Sequence, residues 1–144
     1  MDSQLLRKNT ILLAWIMIGS SIFSCSARAD YNIIIGFLVL FLRAHSNSDK
    51  FKLFSKATIH IIVLSLIFDC IWIFEFTGYW THGEETSELW KSLSFIHNLV
   101  YYLGICEFLI KFPIVLFLYR QFRFIGGNLK ELLNFNFKPE KIEI

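Results

Sequence analysis

Four apolar stretches separated by short polar connectors organise this chain: residues 10–27, 27–45, 57–76 and 93–119. Read as helices, three of them are long enough as they stand to cross a hydrocarbon core, which takes about 20 residues. In a chain of 144 residues the stretches and connectors leave no room for a separate soluble domain. The pattern therefore predicts one polytopic membrane domain over residues 1–144. Its fold class is all-α: four transmembrane helices, both termini on the same inside face, and a short amphipathic C-terminal helix.

The second stretch needs a further argument, because its strictly apolar part covers only residues 33–42. Charge supplies it. If all four stretches span, the N-terminal segment (Arg7, Lys8), the second connector (Arg43, Lys50, Lys52, Lys56) and the tail (Arg120, Arg123, Lys130, Lys138, Lys141) share one side. Eleven of the 14 Lys and Arg then lie there, against Arg28 and Lys91 opposite and Lys111 within the fourth stretch. That bias is what the preference for positive charge on the inside predicts, and it collapses if the second stretch stays out. A helix over residues 27–45 would rise about 28 Å, with Arg28 and Arg43 snorkelling to the two surfaces.

The connectors read accordingly. Ser24-Cys25-Ser26-Ala27-Arg28-Ala29-Asp30 is predicted as a tight turn, and Ser46-Asn47-Ser48-Asp49 as a polar one. Residues 77–92 form the longest outer loop, with Glu84, Glu85 and Glu88 as a solvated acidic patch. Trp72, Tyr79, Trp80 and Trp90 sit on or near the outer ends of the third and fourth helices, at headgroup level. Gly126-Gly127 reads as a helix stop. Beyond it Leu129, Leu132 and Leu133, interleaved with Lys130 and Glu131, predict the amphipathic helix on the inner surface.

Composition sharpens this picture. The chain is 55% hydrophobic with 16 Phe, and its mean hydropathy is +0.52. A net charge of +2 with scattered basic residues gives nucleic acid no footprint. Asp2 and the lack of an Arg/Ser-rich amphipathic stretch argue against a transit peptide. The apolar segment before Ala27-Arg28-Ala29 is long for a secretory signal, so an uncleaved N-terminus is expected. No glycosylation sequon occurs. The three cysteines, Cys25, Cys70 and Cys106, are expected as packing residues.

Ionisable groups inside a membrane are costly and so become candidates for function. Asp69 and Glu75 fall on the third helix, Glu107 and Lys111 on the fourth. Asp69 and Glu107 each lie about 18 Å from the inner ends of their helices, which sets them at one depth. Glu107 and Lys111, four residues apart, share a helix face. Asp69, Glu107 and Lys111 are therefore expected to form an intramembrane charge cluster between helices three and four. A transporter could use it as a proton or cation site. The expected role is structural: an interhelical ion pair that sets register, with the extra carboxylate protonated or paired to a partner subunit. Transporter sites are ordinarily framed by inverted repeats or broken helices, and here Pro113 alone interrupts a helix. Glu75, near the outer surface, is expected to be solvated.

His60 and His97 should stand about 20 Å or more apart along the membrane normal, too far to share a heme. His45 and His82 fall in or beside connectors on opposite sides. No metal-binding spacing, Gly-rich phosphate loop or activated nucleophile is present, so no enzyme, cofactor or metal site is expected, and bound lipid is the one small molecule left open. The first helix is rich in small residues at its outer half, Gly19, Ser20, Ser21, Ser24 and Cys25, which predicts close packing against helix two.

The segments Ala29-Asp30-Tyr31-Asn32-Ile33-Ile34 and Leu66-Ile67-Phe68-Asp69, followed by Lys111, Tyr119, Arg123 and Gly126-Gly127 at matching offsets, resemble the family of the angiotensin II type-1 receptor-associated protein, small polytopic membrane adaptors. The likeness covers roughly residues 24–127. It implies that Asp69 and Lys111 are a paired, fold-defining couple. Asn32, Tyr119, Arg123, Gly126 and Gly127 are the other shared positions. Two departures weaken the transfer of receptor binding. Family members carry a long polar C-terminal tail implicated in receptor contact, and Pro113 falls one position later than the family's proline.

The leading expectation is a non-catalytic accessory subunit of a larger membrane complex, most plausibly a respiratory-chain complex of the mitochondrial inner membrane. Small size, the lack of a catalytic constellation and faces rich in small residues and Phe point there. A trafficking or receptor adaptor of the endomembrane system, as the resemblance implies, is the alternative, and a small proton-linked transporter the third. Expected partners are other membrane subunits and lipids, with no nucleic acid and no small-molecule substrate.

Overall fold

The computed structural model describes residues 3–25, 30–45, 50–82 and 94–134, with the backbone alone at 3, 76 and 79–82. All regular structure among these residues is helical: α1 (Ser3–Ser24), α2 (Asn32–Ala44), α3 (Phe51–His82), α4 (Ser94–Phe124) and the short α5 (Leu129–Leu133). The four long helices close a ring in which α1 packs on α2 and α4, and α3 packs on α4 and, most sparsely, on α2.

Each helix turns one narrow stripe inward. On α4 it runs through Val100, Gly104, Glu107, Lys111, Ile114, Leu118 and Gln121; on α3 through Phe51, Ser55, Thr58, Ile62, Ser65 and Asp69. Leu6, Thr10, Ala14, Met17, Ser21 and Ser24 continue the pattern on α1, as do Asn32, Ile35, Val39 and Leu42 on α2. These steps of three and four residues are the signature of helices that meet along a seam.

The polarity of the bundle is inverted relative to a water-soluble one. Lys111 and Glu107 are 0% exposed, whereas Phe74 is 84%, Phe95 76% and Ile34 68% exposed. An apolar perimeter around a polar interior suits a hydrocarbon solvent. Two segments, Phe51–Glu75 and Ser94–Phe124, are long and apolar enough to cross a membrane, and α2 is a shorter apolar helix.

Helix ends depart from the hydropathy boundaries. Helix α1 starts at Ser3 and carries Arg7 and Lys8 in its first turns. Helix α3 begins at Phe51 and runs on to His82, so residues 77–82 of the predicted outer loop are helical. Backbone hydrogen bonding, indifferent to hydropathy, carries a helix past the last apolar residue until something caps it. Helix α2 is shorter than predicted, 13 residues in place of the 27–45 stretch, and rises only about 20 Å. Residues 26–29, 46–49 and 83–93 lie outside the described set, and with them the middle of the first predicted turn, the whole of the second, the acidic patch and Trp90.

Three local features hold the frame. Gly36 lets α2 close onto α1: a Cβ there would collide with Ile18 and lie 3.2 Å from the Ala14 carbonyl. The close packing of α1 on α2 thus runs through Ala14, Ile18 and Gly36, while Gly19 has open space around it. Helix α4 ends where Gly126 takes φ +82, its N–H bonding the Arg123 carbonyl at 3.1 Å and that of Gly127 the Phe122 carbonyl at 3.0 Å. This is a Schellman stop, which needs a glycine at the left-handed position. It turns the chain into α5, capped by Asn128 Oδ1 accepting from the Glu131 N–H at 2.8 Å. Leu132 then enters the core, and Glu131 pairs with Lys52 at 2.8 Å.

The core is layered. Met17, Val39, Ile62, Ile114, Leu118 and Phe122 form its apolar part, all at most 1% exposed. Polar groups occupy both ends of it.

Candidate functional site

The larger polar group lies toward the end of the bundle where α1 finishes and α2 begins, where the stripes of all four helices converge. Lys111 Nζ donates to Asp69 Oδ2 at 2.5 Å, an ion pair joining α4 to α3 with the amine fully buried. The other oxygen of Asp69 accepts from the Tyr31 hydroxyl, which also lies 3.1 Å from the Ser65 carbonyl. The Lys111 ammonium stands 4.9 Å from the centroid of the Tyr31 ring, within cation–π range.

Glu107, one turn away on the same stripe, faces the opposite pair of helices. Its Oε2 accepts from Asn32 Nδ2 at 2.7 Å and its Oε1 from Ser24 Oγ at 3.4 Å. Ser20 and Asp30 also reach its carboxyl group. Asp30 Oδ1 in turn accepts from the Asn32 N–H at 2.9 Å, a local bond that orders the chain just before α2.

The three residues singled out from spacing are thus in one neighbourhood, in two linked halves. Lys111 pairs directly with Asp69 and feels the charges of Glu107 and Asp30 at longer range. Asn32, Asp69 and Lys111 belong to the cluster itself. Tyr119 packs half-buried against the apolar core, Arg123 is exposed, Gly126 supplies the left-handed turn, and Gly127 presses on the Phe122 ring. Glu75 is exposed.

Sequence reasoning missed Asp30, Tyr31, Ser24 and Ser65. Asp30 two residues before a helical Asn was a readable capping signal; the others needed the packing. It also missed the second polar knot at the opposite end of the bundle. Arg43 turns inward and donates to Gln121 Oε1 at 2.8 Å, and Gln121 Nε2 donates to Thr10 Oγ1 at 3.3 Å. One glutamine thereby joins α1, α2 and α4.

The cysteines are all unpaired, and Cys25 and Cys106 face outward, where the sequence predicted packing positions. The rings of His45 and His60 bond back to carbonyls of their own helices, Phe41 at 3.0 Å and Lys56 at 2.7 Å. Among the described residues, no set of three or more His, Cys, Asp or Glu is placed to hold a metal ion.

Comparison with known proteins gives no match to any family model, curated protein or solved structure.

Proposed function

We propose that this chain is a non-catalytic integral-membrane subunit of a larger membrane assembly. In this reading all four long helices cross the bilayer and both termini lie on the inner side. The observation that carries it is the inverted polarity: large apolar side chains cover the outside of α1, α2, α3 and α4, while the charged groups are spent on one another inside. A small bundle with that perimeter offers neighbouring helices a broad apolar surface and uses its intramembrane charges to fix its own helix register. A respiratory-chain complex of the mitochondrial inner membrane is the favoured host.

The adaptor reading is the second. It draws support from Asn32, Asp69 and Lys111, three positions of the family resemblance, meeting in one cluster. An adaptor would keep its fold by the same pair and act in endomembranes.

Native membranes solubilised in mild detergent and run on a blue-native gel separate the two. Co-migration with respiratory subunits near a megadalton, identified by mass spectrometry, is the expected result. Migration alone, or with a receptor at low mass, would overturn the subunit reading and favour the adaptor.

A further inference from the structure

Helix α2 has two seams: the one with α3 opens as a groove, and the one with α1 closes on Gly36. Gly36 lies against Ala14 and Ile18. Steps of four and three residues carry that contact along α1 to Ile11 and Arg7, and along α2 to Leu40 and Arg43. The closed seam therefore ends in two arginines, close enough for the charge of Arg7 to act on Arg43. Lys8 is exposed beside Arg7, on the flank of the seam turned away from the buried stripe of α1.

Like charges brought together repel, and an anion between them turns the repulsion into attraction. Arg43 gives one N–H to the neutral amide of Gln121, and its Nε–H is buried with no hydrogen-bond partner. Among the described residues no carboxylate reaches it. Nine of the ten described Lys and Arg gather at this end of the bundle, where the one described carboxylate, Glu131, is engaged by Lys52. A guanidinium in that setting suits phosphate, whose oxygens accept its N–H groups in pairs. The flank of the seam shows what the phosphate is attached to. Ile11, Trp15 and Phe37 are 36%, 55% and 52% exposed, and they lie about 6–12 Å along their helices from the arginines. Free phosphate or an acidic peptide would meet the cations and leave that apolar flank bare. A phospholipid covers both, its head at the helix ends and its hydrocarbon along them; basic pockets between membrane helices hold anionic headgroups in this way.

We infer that the α1–α2 seam binds one anionic glycerophospholipid, its phosphate seated on Arg7 and Arg43 with Lys8 at the edge, and its acyl chains lying against Ile11, Trp15 and Phe37. This rests on the membrane placement proposed above. The phosphate offsets the repulsion between the two arginines, and the chains extend the apolar cover of the seam that Gly36 closes.

The test uses the full chain in dodecyl maltoside, titrated with dioleoyl phosphatidylglycerol or dioleoyl phosphatidylcholine, with bound lipid counted by native mass spectrometry. Saturable binding of one phosphatidylglycerol per chain is expected, with phosphatidylcholine at least ten-fold weaker. Arg7→Gln and Arg43→Gln should each weaken binding about ten-fold, and Trp15→Ala about three-fold. Arg123→Gln, which removes the same charge from an exposed site on α4, should change it less than two-fold. An excess of inorganic phosphate (the head alone) or of hexaglutamate (an acidic peptide) should not displace the lipid. Circular dichroism and gel filtration check that each variant folds; if Arg43→Gln does not, Arg7→Gln decides, since its side chain is exposed. The inference is overturned by equal binding of phosphatidylcholine, by an equal loss in Arg123→Gln, by displacement with phosphate or hexaglutamate, or by undiminished binding to folded Arg7→Gln or Trp15→Ala. Because the assay uses the isolated chain, its failure leaves the subunit reading standing, and a low-mass band on the native gel leaves the binding result untouched.

Discussion

Lys111 sets the terms at the scale of single residues. Its amine is buried to 0% exposure, and its ion-pair partner Asp69 is itself bonded to the Tyr31 hydroxyl. Removing one member of a buried pair leaves the other charged and unsolvated, which costs about 3–5 kcal/mol, whereas replacing both is often nearly neutral. Lys111→Met is therefore expected to lower the unfolding free energy in detergent by about that amount, and Lys111→Met combined with Asp69→Leu to recover more than half of it. Equal loss in the double variant would show that the pair does not act as a unit. Asn32→Ala removes a donor to the Glu107 carboxylate and should cost about 1.5–3 kcal/mol, the range for hydrogen bonds to charged groups. The spacing of Glu107 and Lys111 made their shared face legible in the sequence. The resemblance implied the Asp69–Lys111 pair, but that Glu107 would turn to Asn32 and Ser24 was not legible, because it depends on which helices flank α4, and residue periodicity carries no such information.

At the scale of elements, the stops and close approaches are glycine effects. Gly126→Ala forces a Cβ into the left-handed region, at a cost of about 1–2 kcal/mol. It should also loosen α5, since the turn aims Leu132 into the core and Glu131 at Lys52. Faster amide exchange across residues 129–133 would report this; unchanged exchange would mean that α5 is held by its own cap and packing. Gly36→Ala should overpack the α1–α2 contact by about 1–3 kcal/mol, with partial rescue by Ile18→Ala. Thermal melts of the three proteins test it, and an additive double variant would separate the two positions. The glycine stop after α4 was readable from Gly126-Gly127 because its chemistry is local. Gly36 was not, since a glycine in an apolar helix becomes necessary only when another helix lies across it. The true ends of α1 and α3 were hidden for a related reason: hydropathy reports the solvent a segment prefers, and helices extend past that boundary wherever their backbone bonds can continue.

At the scale of the whole molecule, the arrangement is a ring of four helices with charge inside and apolar side chains outside. Such a perimeter should keep the chain with the membrane pellet through alkaline carbonate extraction, and release into the supernatant would contradict a spanning bundle. Hydropathy and the asymmetry of Lys and Arg are additive along the chain, so the sequence by itself determined that this is a small helical protein with apolar segments of membrane-crossing length. It also determined that charged groups must lie within those segments, because four ionisable residues interrupt otherwise apolar runs. Only the tertiary structure decided what those groups do for one another. Asp30 and Tyr31, from the chain entering α2, complete a site whose other members lie on α1, α3 and α4; Gln121 ties three helices at the other end; and the α2–α3 seam stays open as a groove. These are properties of neighbours distant in sequence, fixed by how the stripes on separate helices are rotated against each other when the ring closes.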